Sequence, residues 1–70
     1  MTKQLDWNAT EEKARRMTNI ELFYARLDCF TTARALDSAD RANGTDLAGY
    51  YRDEASVYVA ESKRRSAEGR

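Results

Sequence analysis

Residues 19–42, NIELFYARLDCFTTARALDSADRA, hold neither Gly nor Pro and read as one long helix. At roughly 100° per residue, the apolar side chains fall into two groups. Ile20, Phe23, Tyr24, Leu27 and Phe30 gather on one side, the large-residue face. Leu22, Ala25, Cys29, Ala33 and Leu36 gather on the opposite side, with Leu22, Cys29 and Leu36 repeating at heptad spacing. A surface helix ordinarily carries one apolar stripe. Two stripes imply two partners, and the remainder of the chain supplies only one.

That one lies downstream. Asn43-Gly44 ends the helix, because glycine suits the left-handed residue just past a C-terminus. Thr45 is placed to cap a following helix over residues 46–67, with Asp46 favourable in its first turn. So short a connection makes the two helices antiparallel neighbours. The second helix carries Leu47, Tyr50, Tyr51, Val57 and Tyr58 on its apolar side, with Glu54 and Glu61 in the same stripe. A hairpin centred on Gly44 sets Phe30 against Tyr58 and Arg34 against Glu54. Arg34 and Glu54 would otherwise be charges intruding on apolar stripes, so an ion pair that fixes register is expected. On this reading the large-residue face packs within the chain. Leu22, Ala25, Cys29, Ala33 and Leu36 are left as the dimer or partner interface, and two hairpins joined through them make a four-helix bundle.

Upstream, residues 1–17 read as an arm or short helix. Asn8 with Glu11 and Thr18 with Glu21 both have the form of a capping box, which leaves two readings. Either one helix runs from Ala9 to Ala42, or a short first helix ends near Met17 and a second starts at Asn19. Two adjacent weak helix formers, Thr18 and Asn19, favour the break. Trp7 is the candidate anchor of the arm, covering its own core or a partner. The expected fold is all-α: a single domain over residues 1–70, an antiparallel helical hairpin with an N-terminal arm or short helix.

Composition limits the function. At 70 residues the chain is near the lower bound for folding on its own core, and such scaffolds lean on a staple, a metal or a partner. A lone Cys allows no internal disulfide, and the absence of His leaves neither a metal site nor the usual general base. No cofactor and no enzymatic activity are expected, and oligomerisation is the favoured source of stability. Cys29 reads as packing rather than nucleophile. Lys plus Arg equals Asp plus Glu at 12 each, so net charge exerts no general pull toward nucleic acid or membrane. The N-terminus has no signal-peptide core and no stretch suits a bilayer span, which points to the cytoplasm. Arg15, Arg16, Lys63, Arg64 and Arg65 converge at one end of the hairpin as a basic patch. This carries the alternative reading of a small DNA- or RNA-associated factor.

In size, and in a hairpin carried by IELFYARLDC and AGYYRDEASVYVAESKRR, the chain resembles the small helical proteins that bacteriophages make to disable host factors. Quorum-sensing anti-activators and some anti-CRISPR proteins are of this type. The resemblance implies a homodimeric, non-enzymatic inhibitor in the cytoplasm of a bacterial host, occupying a surface of a regulatory protein or ATPase. It implies no particular functional residue.

Overall fold

The computed structural model describes residues 4–69. Within them lie three helices: α1 (Trp7–Arg16), α2 (Asn19–Asn43) and α3 (Leu47–Ala67). The chain is all-helical among the described residues. It forms a rod with principal extents of 44 × 21 × 16 Å. α2 and α3 make the antiparallel hairpin, and α1 lies along α3.

Each boundary has a local cause. Asp6 caps α1, its Oδ1 accepting from the Ala9 N–H at 3.0 Å. The helix therefore opens two residues before the expected cap at Asn8. At the elbow, the hydroxyl of Thr18 accepts from the Glu21 N–H (3.1 Å), while the carboxylate of Glu21 accepts from the Thr18 N–H (2.8 Å). This reciprocal capping box satisfies two amides that the start of a helix leaves free. It ends α1 and starts α2, which decides between one continuous helix and a break in favour of the break. Gly44 stops α2 in the left-handed region at φ 67°, where a side chain would be strained.

Thr45 does not cap α3. Asp46 does, its carboxylate accepting from the Gly49 N–H at 3.2 Å. Asp40, near the end of α2, reaches across the turn to do more. Its carboxylate accepts from the Thr45 hydroxyl (2.6 Å), the Leu47 N–H (3.1 Å) and the Ala48 N–H (2.7 Å). One buried side chain thus ties the last turn of α2 to the first turn of α3. The three donors hold its carboxyl below the usual carboxylate range, the Thr45 hydroxyl most of all.

The hairpin closes on the face opposite to the one expected. Leu22, Cys29 and Ala33 are buried within the chain, with Ala25 and Leu36 partly so. The physical reason is matched spacing. α3 presents Ala48, Tyr51, Ala55, Tyr58, Ser62 and Arg65 at alternating steps of three and four, the seam of a coiled coil, and none of them is exposed. Small residues on both helices bring the backbones close, and the rings of Tyr51 and Tyr58 fill the space left between them. Leu5, Ala14, Leu22, Cys29, Ala55, Val57 and Tyr58 form one core cluster, so Leu5 rather than Trp7 anchors the arm.

The predicted Arg34–Glu54 pair is also absent. Arg34 stands on the exposed side of α2, while Glu54 accepts the Tyr58 hydroxyl at 2.6 Å. Register is marked one helical step away, where an Arg52 Nη donates to both oxygens of Asp37 at 2.7 and 2.8 Å. The turn thus lies where Gly44 sets it, and α2 is rotated about its axis to bury the opposite face.

Candidate protein-binding surface

Turning α2 to bury its small residues leaves its large ones outside. Ile20, Phe23, Tyr24, Leu27 and Phe30 keep between 47% (Phe30) and 70% (Ile20) of their surface exposed. They follow one another at helical spacing, forming a continuous apolar row along one side of the N-terminal half of α2. Phe23 and Tyr24 meet edge to face, with centroids 5.4 Å apart and planes at 78°. The Arg26 guanidinium lies 5.5 Å from the Phe23 centroid, a cation–π contact that covers the edge of the row. Beside Phe30 a shallow groove of about 440 Å³ runs between α2 and α3, lined by Arg52, Ser56, Val59, Ala60 and Lys63. Along the same line toward the turn stand Thr31, Arg34, Ser38 and Arg41, all exposed. The row is thus apolar in its first half and polar and basic in its second. With side chains of this size, roughly half exposed, it presents roughly 500 Å² of apolar surface. That is near the upper end for the largest patch on a monomeric protein.

Trp7 is the first residue of α1 and stays 46% exposed. It lines a second groove of about 340 Å³ between α1 and α3, with Glu11, Ala14 and Arg15 on one wall and Val57, Ala60, Glu61 and Arg64 on the other. The indole belongs to the lining of this groove and not to the core cluster.

The expected basic patch is largely consumed by structure. Arg65 is 8% exposed. Its guanidinium donates to Glu61 Oε2 (2.7 Å), Asn19 Oδ1 (2.9 Å) and the carbonyls of Ala14 (3.1 Å) and Arg15 (3.2 Å). The last two lie in the final turn of α1, where the Ala14 carbonyl also accepts from the Met17 N–H at 3.1 Å and the Arg15 carbonyl lies beyond the reach of the helix's own ladder. Arg64 donates to Glu61 at 2.6 and 3.0 Å and also to Glu68. Hydrogen bonds from Arg64 and then Arg65 depress the Glu61 carboxyl from 4.5 to about 2 against the opposing effect of burial. Arg16 pairs with Glu12 within α1. Lys63 lies apart from these groups, in the groove beside Phe30.

The polar groups of the hairpin interior are likewise occupied with one another. Burial pushes the Cys29 thiol up to about 11, with Glu54 adding to the effect. Burial also raises the Tyr58 phenol, whose hydroxyl donates a hydrogen bond to the Glu54 carboxylate. A thiol this far from ionising is a packing group at neutral pH.

Among the described residues, no helix is long and apolar enough to cross a membrane. Compared with known proteins, the chain matches no family model, no curated protein and no solved structure.

Proposed function

We propose that this chain is a non-enzymatic protein-binding module whose contact surface is the large-residue face of α2. The observation that carries the reading is the row Ile20, Phe23, Tyr24, Leu27 and Phe30, about half exposed on a helix whose opposite side is already packed. A contiguous apolar patch of this size, rich in aromatics and rimmed by polar groups, has the composition of an interface core. The interior chemistry supports the absence of catalysis: Glu54 and Glu61 are engaged by Tyr58 and by Arg64 and Arg65, and the Cys29 thiol is protonated. The format resemblance to phage host-takeover proteins suggests the class of target, a regulatory protein or ATPase whose working surface is occupied. The basic end is the poorer candidate for a nucleic-acid site, because Arg65 is buried in the end of α1 and Arg64 is held by two carboxylates.

The test compares the tagged wild-type chain with Phe23→Asp and Leu27→Asp. Both sites face solvent, so each variant is expected to keep its helicity, with stability changed by about 0.5 kcal/mol or less. Each is expected to lose the binding partners of the wild type. Retention of the same partners by both variants would place the surface elsewhere.

A further inference from the structure

We infer that the occupant of this surface is a second copy of the same chain, laid antiparallel across the N-terminal half of α2. The inference rests on reading the large-residue face as a binding surface, and it names what binds there.

Three features converge on a second copy. The first is the poverty of the monomer core. Its largest fully buried side chains are Tyr58 and Leu22, and much of the rest is alanine: Ala14, Ala33, Ala48 and Ala55. The chain folds the small residues of α2 inward and leaves all three of its aromatics, with Ile20 and Leu27, outside. A domain of this length has little core to spare for such an arrangement. A permanent cover over the row supplies the burial that the interior lacks, and another copy is the one partner present wherever the chain is made.

The second is area. Roughly 500 Å² of apolar surface on each copy gives a pairing of roughly 1,000 Å² before any rim contact is counted, the size at which a specific interface becomes credible. The groove beside Phe30 adds room for an incoming side chain, with Val59 and Ala60 of α3 as its apolar floor.

The third is the distribution of charge along the row, which decides the orientation. Arg34 and Arg41 continue the line of the apolar residues toward the turn, and both are exposed. In a parallel pairing each would lie against its own image. In an antiparallel pairing centred near Ala25, Ile20 lies opposite Phe30 of the second copy and Phe23 opposite Leu27, while both arginines overhang the contact. The apolar half then pairs with the apolar half, and the two small-residue seams remain buried within their own hairpins. The assembly is a two-fold bundle whose central contact is mainly aromatic, with Ile20 and Leu27 beside the rings, closed by one isologous patch.

Sedimentation of the full chain over about 1 to about 100 µM, a range that brackets typical weak to moderate self-association, reads the outcome. The mass is expected to move from 8.0 kDa toward twice that value. Leu27→Asp is expected to raise the dissociation constant at least about 30-fold, while Trp7→Ala, in the other groove, leaves it unchanged. A wild-type chain that stays monomeric throughout overturns the second copy as occupant. The binding-surface reading survives that result if capture of another protein still depends on Leu27. A dimer indifferent to both Phe23→Asp and Leu27→Asp overturns both. Orientation is read with Ser38→Cys and a short bis-maleimide, since the wild-type Cys29 is buried. In the antiparallel arrangement the two introduced thiols are roughly 40 Å apart along the helix axes and no cross-link forms. An efficient cross-link would overturn that orientation.

Discussion

Arg65 does at the elbow what Asp40 does at the turn: a single side chain satisfies backbone groups of one helix from the body of another. The guanidinium reaches two terminal carbonyls of α1, the Asn19 side chain of α2 and the Glu61 carboxylate of its own helix. It therefore joins all three helices at one point. Reading the sequence places Arg65 in a basic run and says nothing of this, because the last carbonyls of α1 become its partners only once α1 is laid along α3. Arg65→Ala should cost on the order of 2 kcal/mol in urea unfolding, the loss of charge-assisted hydrogen bonds from a buried site. Arg65→Lys should recover only part of that, since an ammonium cannot fork to acceptors on three helices. Arg64→Ala, in which Glu61 still keeps Arg65, should cost less than Arg65→Ala. Glu61 gives this cluster a pH signature. Its carboxyl titrates near 2 in the folded chain against 4.5 unperturbed. The unfolded chain therefore takes up the proton first, and the stabilisation is complete above about pH 4.5 and is lost as pH falls toward 2. Asp40 and Glu21, also shifted down, add to the same acid loss. Thermal unfolding between those limits should therefore show a shallower pH dependence for Glu61→Gln than for wild type, and parallel curves would remove Glu61 as a contributor.

At the scale of the helices, much of the organisation was legible and one rotation was not. The elbow at Thr18, the stop at Gly44 and the antiparallel hairpin follow from short-range rules, because caps and left-handed glycines depend on a few neighbouring residues. The facing of α2 depends on the other helix. Size favours burying Phe23 and Phe30, but spacing favours Leu22, Cys29 and Leu36, and spacing prevails. The deciding signal lay in α3, where Ala48, Ala55 and Ser62 repeat every seven residues alongside Tyr51, Tyr58 and Arg65. A heptad seam on α3 needs a heptad seam on α2, and the small-residue face is the one that offers it. The row proposed as a binding surface was thus visible as a set of residues but placed on the wrong side of the hairpin. This changes what a charge at Cys29 does. Cys29 is 6% exposed and packed between α2 and α3, so Cys29→Asp should unfold the hairpin, at a cost on the order of 4 kcal/mol for an unpaired buried carboxylate. Circular dichroism would register the loss of helix. A folded Cys29→Asp chain that merely failed to associate would show that the small-residue face points outward. The native thiol should also react with a thiol reagent only as fast as the hairpin opens.

The whole molecule is a thin rod whose interior is built from its smaller side chains and whose α2 exterior carries its larger ones. That inversion makes stability and association one problem. If the row on α2 is covered by a second copy, the folded state gains apolar burial that the isolated hairpin lacks, and the gain depends on how often copies meet. Above the dissociation constant, each tenfold rise in concentration should raise the melting temperature by about 4 °C for a chain of this length that unfolds from dimer to separate chains. Leu27→Asp should flatten that dependence and leave the melting temperature of the dilute wild type almost unchanged, since Leu27 is half exposed in the hairpin and contributes little to it alone. Arg65→Ala should do the opposite, lowering the melting temperature at every concentration while preserving the slope, because the elbow lies within one chain and the row does not depend on it. A melting temperature independent of concentration, in a wild-type chain that sediments as a monomer, would mean that the alanine-rich seam and its two polar clamps hold the hairpin unaided.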